Sequence, residues 1–248
     1  MTALSPVRSS PRISCLICAY NEGPRLAAVL AAVASHPLLD EVIVVDDGSA
    51  DDTAEVARRF SGVRLVSHPV NLGKSRAIAT GVAAARHELL MMLDADLKGL
   101  RAHDIAALAE PVLSGDAELS ISLRRNSLLL FRLAGLDFVS GERVVRKELL
   151  DGVLKQIGAL PRFGIEVFMN RRIIEQRLAI AVTRWTNVEQ TRKTEKLGLW
   201  RGVRAEWRMV RDLMRVADPL ELLAQSWHLA MLRIPRTRSP AVSRDSGT

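Results

Sequence analysis

Short apolar runs alternate with amphipathic stretches through the first hundred or so residues, and each run is closed by a polar cluster. Ile13 to Ala19 (ISCLICA) reads as a strand that stops at Tyr20-Asn21-Glu22-Gly23-Pro24. A helix fits Arg25 to Ser35, with Pro24 suited to its first turn, where a missing N–H costs nothing. Glu41 to Val45 (EVIVV) is β-branched and apolar after its glutamate, the pattern of a strand covered on both faces. Asp46-Asp47-Gly48-Ser49 ends it, and Asp51 or Asp52 can cap a helix running to about Phe60. Val63 to Ser67 is a third strand. Asn71-Leu72-Gly73-Lys74 then turns into a helix from Ser75 to about Ala85, and Glu88 to Leu93 (ELLMML) is a fourth buried strand stopped by Asp94-Ala95-Asp96. Strands alternating with single helices require crossover connections, so an α/β class with a mostly parallel sheet flanked by helices is expected.

The second half is less regular. A helix fits Ala102 to Glu110 and a strand Ala117 to Leu123, whereas 124–140 carries no clear period. Gly141 to Lys147 is expected to start or cross a helix, Ile165 to Gln176 to form one, and Leu178 to Thr183 to be a strand. Two basic helices, roughly 199–216 and 219–233, complete the pattern, with Pro219 opening the second. The polar arm 1–11 and the tail 235–248 are expected to be disordered.

Composition sharpens this little: 48% hydrophobic and 25% charged residues in a chain of 248 is ordinary globular usage and excludes a collagenous, disulfide-scaffold or mainly disordered protein. Cys15 and Cys18 fall inside one apolar run. No second pair completes a four-thiolate zinc site, and a redox CxxC opens a helix, so these read as buried strand thiols in a reducing compartment. The start lacks the apolar core of a signal peptide, and the longest apolar stretch, Leu128 to Val139, is broken by Arg132 and Asp137, short of the ~18 residues a membrane span needs. A cytoplasmic protein is expected. Charge is uneven: Arg171 to Arg215 holds twelve Lys/Arg against five Asp/Glu, a balance of +7 that equals the net charge of the whole chain. Such a stretch suits an anionic membrane surface or phosphorylated substrates. Nucleic acid is not expected, because no recognisable nucleic-acid module accompanies it.

The chemistry lies in the punctuation. In open α/β sheets, ligands collect beyond the carboxyl ends of the strands, so Tyr20-Asn21-Glu22, Asp46-Asp47-Gly48-Ser49 and Asp94-Ala95-Asp96 should gather along one edge. Two carboxylates separated by one residue after a buried strand can hold a hard divalent cation, Mg2+ or Mn2+, that also bridges a substrate diphosphate. Asp46 or Asp47 can accept hydrogen bonds from a nucleobase or ribose, and Lys74, near a helix N-terminus, suits an anionic diphosphate.

In order and spacing, the motifs Cys18-Ala19-Tyr20-Asn21-Glu22, Val44-Val45-Asp46-Asp47-Gly48-Ser49-Ala50-Asp51-Asp52-Thr53, Asn71-Leu72-Gly73-Lys74 and Leu93-Asp94-Ala95-Asp96-Leu97 resemble those of the family 2 glycosyltransferases of the GT-A fold. Among these they are similar to the dolichyl- or polyprenyl-phosphate hexose transferases and the glucosyl-3-phosphoglycerate synthases. The resemblance covers about residues 12 to 125. It implies a nucleotide-sugar donor (UDP- or GDP-hexose), a divalent metal, and a lipid-phosphate or small phosphorylated acceptor. It also implies a GT-A domain over 12–190, with a donor half at 12–100, an acceptor half at 101–190, and a basic helical extension over 191–234. By the same resemblance Tyr20 and Glu22 contact the base or ribose and Asp47 rather than Asp46 reads the base edge. Lys74 lies near the nucleotide, and Asp94 and Asp96 serve metal and diphosphate. This chain departs from the pattern in three places. Cys18 stands where a proline is frequent. Lys98 stands where DADLQ has its glutamine, and can meet the diphosphate as a cation. Asn187-Val188-Glu189-Gln190-Thr191 lacks a histidine that some relatives use as a ligand, leaving Glu189 or Gln190 to substitute.

On the acceptor side, Ser140-Gly141-Glu142-Arg143 is similar to an element of these relatives. Glu142 and Glu166 are rival general bases, and Arg143, Arg146 and Lys147 are candidates to hold an acceptor phosphate. Val203, Trp207, Val210 and Met214 recur at helical spacing opposite arginines, a pattern that can lie on an anionic membrane. Two other readings stay open at this level: a sugar-phosphate nucleotidyltransferase, which would want a Gly-rich basic loop after the first strand, and a non-catalytic lipid- or nucleic-acid-binding module built on the basic segment.

Overall fold

The computed structural model describes residues 11–127, 136–137, 139–160, 164–191 and 218–234. The expected helix 199–216, the tail 235–248, nearly all of the N-terminal arm and most of the Leu128–Val139 run lie outside them. In chain order the elements are β1 (Ile13–Ala19), α1 (Gly23–Val33), β2 (Glu41–Asp46), α2 (Thr53–Arg58), β3 (Val63–Ser67), α3 (Lys74–Ala84), β4 (Leu89–Asp94), β5 (Leu97–Lys98), α4 (Ala102–Leu113), β6 (Leu119–Arg124), β7 (Arg143–Arg146), α5 (Glu148–Asp151), α6 (Leu154–Ala159), α7 (Gly164–Glu175), β8 (Ile180–Trp185), β9 (Glu189–Gln190) and α8 (Pro219–Met231).

Seven strands form one sheet in the order β3-β2-β1-β4-β7-β6-β8, and β5 pairs with β9 in a separate two-stranded ribbon. All neighbours in the large sheet are parallel except β7, which runs antiparallel between β4 and β6. The unbroken apolar runs of β1, β2 and β4 follow from burial on both faces. Ile13, Cys15, Ile17, Val42, Val44, Leu89, Met91 and Leu93 pack beneath α1 and α4. Leu16, Ile43, Val45, Leu90 and Met92 face α3, α7 and Leu229 of α8. Because residues one apart point to opposite faces, each strand contributes to both cores.

The expected helix over Gly141 to Lys147 is not formed: Arg143–Arg146 is a strand, with Val144 opposite Met91 and Val145 opposite Leu90. The reason lies in the neighbouring strands. Val144 belongs to one core and Val145 to the other, a two-residue alternation too short to stand out in sequence but enough to fill the slot between β4 and β6. The strand after α7 is Ile180–Trp185, two residues beyond its expected position. It closes the sheet edge, with the buried Trp185 donating its Nε1–H to the Asp104 carbonyl at 3.1 Å.

This order places β2, β1 and β4 side by side with their carboxyl ends together, so the three polar turns of the first half share one edge, as expected. Gly48 makes the second turn possible. It sits at φ +71°, and a Cβ there would come 2.3 Å from the Val70 carbonyl carbon, so only glycine admits the close passage of the following loop.

Candidate active site

The turns after β1 and β2 are stitched to each other. The Asn21 N–H donates to Ser49 Oγ at 3.0 Å, and the Asn21 side-chain oxygen accepts from the Ala50 N–H at 2.9 Å. The Glu22 N–H donates to Thr53 Oγ1 at 2.9 Å. Asn21 holds this bridge from a left-handed backbone, φ 55°, that asparagine tolerates. Tyr20 stands beside it with 45% of its surface exposed, open to a planar ligand, and Glu22 holds Arg25 at 2.5 Å.

Asp47 is buried and fully engaged. Its Oδ1 accepts from the Leu72 N–H at 3.0 Å and meets His68 Nδ1 at 2.7 Å, while Oδ2 accepts from the Gly73 N–H at 2.8 Å. The opposite ring nitrogen of His68 meets Thr80 Oγ1 at 2.9 Å. Asp47 therefore clamps the Asn71–Gly73 turn that launches α3 with Lys74 as its first residue, while its neighbour Asp46 accepts from the Ser49 N–H at 3.1 Å.

From that position Lys74 reaches across the strand ends. Its Nζ lies 3.1 Å from Asp94 Oδ1 and 2.9 Å from Glu166 Oε1. Burial works against the ammonium, but Asp94 and Glu166 outweigh it and hold the Lys74 pKa above the ordinary lysine value. Glu166 is buried at the start of α7, and its second oxygen, Oε2, has no hydrogen-bond partner among the described residues. Asp94 approaches the backbone so closely that a Cβ on Gly141 would lie 2.8 Å from Oδ1.

Gln190 of β9 faces the same carboxylates. Its Nε2 donates to Asp94 Oδ2 at 2.9 Å and to Asp96 Oδ1 at 3.3 Å, and its Oε1 accepts from Arg124 Nη1 at 3.0 Å. The β5–β9 ribbon, with Leu97 opposite Gln190, and the Thr191 N–H and hydroxyl on the Asp96 carbonyl hold these parts in register. Arg124 ends β6 and binds Glu142 at 2.8 Å and Asp137 at 3.3 Å, with Asp94 at 3.9 Å. Burial opposes its charge, and Glu142, Asp137 and Asp94 raise its pKa regardless.

The candidate bases thus differ. Glu142 is fully buried and accepts from Ser122 at 2.8 Å, Ser140 at 2.6 Å and Arg124 at 2.8 Å. Burial raises its pKa against the pull of Arg124. Its oxygens serve the interior, whereas Glu166 Oε2 has no hydrogen-bond partner among the described residues. Arg143 is buried in β7, donating to the Ser140 carbonyl and to Asn170 Oδ1 at 2.8 Å each, and burial lowers its pKa. It is therefore turned into the interior, while Arg146 is exposed at the strand end. Lys147 donates to the Ala85 carbonyl. Lys98 is exposed on β5, in register with Glu189. Cys18 is paired with Asp94 in the sheet, and burial pushes the thiols of both Cys18 and Cys15 up to about 12, so neither is a thiolate at neutral pH.

The structure therefore brings together Lys74, Asp94, Asp96 and Glu166 and adds Arg124, which sequence reasoning passed over. The strand-end rule that singled out Asp94 would have found it, had the expected strand run one residue further than Leu123.

Residues 14–127 match the family model "Glycosyl transferase family 2", and with the mostly parallel, helix-flanked sheet this defines the segment as a family 2 glycosyltransferase domain of the GT-A type. The chain is similar to a dodecaprenyl-phosphate galacturonate synthase of Rhizobium johnstonii, 31% identical over 50% of this chain and 41% of that protein. It is also similar to a glucosyl-3-phosphoglycerate synthase of Mycobacterium tuberculosis, 29% identical over 63% of this chain and 52% of that one. Among solved structures, the Mycobacterium tuberculosis glucosyl-3-phosphoglycerate synthase in complex with Mn2+ and UDP-glucose superimposes with a TM-score of 0.65 at 26% identity, covering 92% of this chain and 81% of that one. The matched regions span about half or less of these two curated relatives.

A divalent cation fits the site. One amide nitrogen now spans oxygens of Asp94 and Asp96, and a hard cation takes the same carboxylate oxygens. Among the described residues no three His, Cys, Asp or Glu side chains form a metal cluster, so further ligands would come from other groups, including substrate phosphate.

Proposed function

We propose that this chain transfers a hexose from a nucleoside-diphosphate sugar to a phosphate-bearing acceptor, with Mg2+ or Mn2+ at Asp94 and Asp96. One observation carries the reading: Lys74, Arg124 and Gln190 converge on Asp94 at the carboxyl ends of adjacent strands, where sheets of this kind bind ligands. The relatives' names give the matching donor and acceptor chemistry. Tyr20 and Glu22 contact the base or ribose, and Asp47 shapes that pocket through the Asn71–Gly73 turn. Asp94 and Asp96 would hold the cation, which would supply charge neutralisation for a leaving diphosphate, and Lys74 and Lys98 add positive charge on the same side. For a hydroxyl acceptor, Glu166 takes the proton on Oε2, which has no hydrogen-bond partner among the described residues. A phosphate acceptor is already an anion and needs only positioning, for which the exposed Arg146 is available.

The acceptor is either a lipid phosphate or a small phosphorylated compound. No helix among the described residues is long and apolar enough to cross a membrane. On α8, however, Trp227 and Met231 stand one turn apart, 68% and 71% exposed. With the basic segment before them, they support attachment to an anionic membrane surface on the cytoplasmic side.

Calorimetric titration with UDP, GDP and their glucose and mannose conjugates, with and without Mn2+, tests the donor reading on wild type and Asp96→Ala. Metal-dependent binding of one nucleotide, lost in the variant, is expected. No binding by any of them overturns the proposal and favours a basic binding module, whose affinity for anionic vesicles would fall steeply with salt and ignore Asp96→Ala.

A further inference from the structure

Resting on the donor-site reading above, we infer that His68 is a positioning residue for the nucleotide. Its ring steadies Asp47 as the clamp of the loop that walls the base, and so sets donor affinity without touching the donor. The loop runs from His68 to Gly73, and both of its ends are tied to one carboxylate. Asp47 Oδ1 meets His68 Nδ1 at 2.7 Å and accepts from the Leu72 N–H at 3.0 Å, while Oδ2 accepts from the Gly73 N–H at 2.8 Å. The His68 N–H also donates to the Asp46 carbonyl at 2.9 Å. On its far side the ring reaches Thr80 Oγ1 of α3 at 2.9 Å. One imidazole therefore joins the end of β2 to the body of the helix that Lys74 opens.

What the loop carries gives this latch its consequence. It leaves the carboxyl end of β3, which lies beside β2 in the sheet, and so stands at the ligand edge. Val70 and Leu72 are 59% and 51% exposed, and with Tyr20 they flank the Asp47 turn on both sides as an apolar rim suited to the face of a nucleobase. The loop also presses on the turn after β2, since a Cβ on Gly48 would lie 2.6 Å from the Asn71 nitrogen. A shift of Asp47 therefore moves Val70 and Leu72 on one side and, through Ser49 and Asn21, the Tyr20 turn on the other. A carboxylate only accepts, so Nδ1 carries the hydrogen of the bond to Asp47. The two side chains are 9% and 4% exposed, and a charge-assisted bond that is lost at such a depth is not simply made good by water.

The test separates the two ring nitrogens. His68→Asn places an amide nitrogen where Nδ1 stands and keeps a donor for Asp47, whereas His68→Gln extends towards Thr80 and gives that donor up. UDP and GDP are titrated calorimetrically into the full chain with Mn2+, and the nucleotide that wild type binds is followed through the variants. His68→Gln is expected to bind it about tenfold more weakly, the scale on which outer-shell partners act, and to exchange the Leu72 and Gly73 amide hydrogens faster. His68→Asn is expected to stay within about threefold of wild type, a rescue that a merely space-filling ring would not show. Wild-type affinity in His68→Gln overturns the inference, as does a His68→Asn protein weakened as much as His68→Gln. Should His68→Gln fail to fold, nitrogen NMR of the wild-type imidazole and the affinity of His68→Asn decide together. A hydrogen on Nδ1 with affinity retained supports the inference, and an Nδ1 without hydrogen, or affinity lost, overturns it. The two levels come apart cleanly: if wild type binds nucleotide, Asp96→Ala loses it and His68→Gln does not, only the role of His68 falls. If wild type binds neither nucleotide, or Asp96→Ala binds as tightly as wild type, the donor-site reading falls as well.

Discussion

Replacing Lys74 by methionine keeps the length of the side chain and removes the charge that lies between Asp94 and Glu166. The two contacts are 3.1 and 2.9 Å, with Lys74 35% exposed, Asp94 16% and Glu166 2%. Removing one partner from a fully buried ion pair costs about 3–5 kcal/mol, while exposed pairs contribute about 0–1 kcal/mol. One partner here is buried and the other partly solvated, which places Lys74→Met between these limits, at about 2 kcal/mol. The loss arises mainly from the uncompensated carboxylate of Glu166, so Glu166→Gln in the same chain should recover much of it. Groups in direct contact couple by about 0.5–3 kcal/mol, and about 1–2 kcal/mol is expected for this pair. Urea unfolding followed by circular dichroism at pH 7 and low salt, on wild type, both single variants and the double variant, measures the coupling directly. A coupling below about 0.3 kcal/mol, the scatter of independent sites, would refute the assignment of Lys74 as the compensating charge. A large loss in Lys74→Met that the double variant deepens would refute it as well.

Gly48→Ala should lower stability by about 2–4 kcal/mol, since it combines a left-handed backbone with a Cβ 2.3 Å from the Val70 carbonyl carbon; a melting temperature within a degree of wild type would contradict the turn geometry. Glu142→Gln should destabilise by about 2 kcal/mol, by setting an amide N–H against Arg124 or the serines, yet leave kcat within about tenfold. With a hydroxyl acceptor, Glu166→Gln should lower kcat by about 10²–10⁴, and the reverse ordering in steady-state kinetics would make Glu142 the base. Burial works to raise the Glu41 pKa, but bonds from the Arg86 N–H, the Ser14 hydroxyl and the Arg86 guanidinium hold it below the ordinary 4.5. The stability Glu41 contributes is therefore present above about pH 4.5 and lost as pH falls through its lower native value. Glu41→Gln should flatten that part of the acid limb in denaturant midpoints measured from pH 6 to 3, and an unchanged slope would exclude this role.

The alternation of strand and helix over residues 13–94 is legible in sequence because its cause is local. A strand buried on both faces must be apolar throughout, as ISCLICA and ELLMML are, and the polar turns that end such strands must sit at the sheet's ligand edge. That rule singles out Asp94 and Asp96 without knowledge of any contact. The rule is blind where an element is too short to show a period: Arg143–Arg146 became a strand because β4 and β6 leave room for one, a fact about their separation and not about those four residues.

The partners of the site's carboxylates are tertiary facts. Asp94 meets Gln190 across 96 positions of chain, and Lys74 meets Glu166 across 92. Sequence determined that Asp94 and Asp96 follow a buried strand, that a lysine lies near the start of α3, and that Glu142 and Glu166 were available as candidate bases. Only the folded chain decided that Glu142 is spent on Arg124, Ser122 and Ser140, that Glu166 keeps an oxygen unpartnered among the described residues, and that Gln190 bridges Asp94 and Asp96. Periodicity records which face of an element is buried over a few residues. The register between elements far apart in sequence depends on how both cores pack at once, and no local pattern carries it.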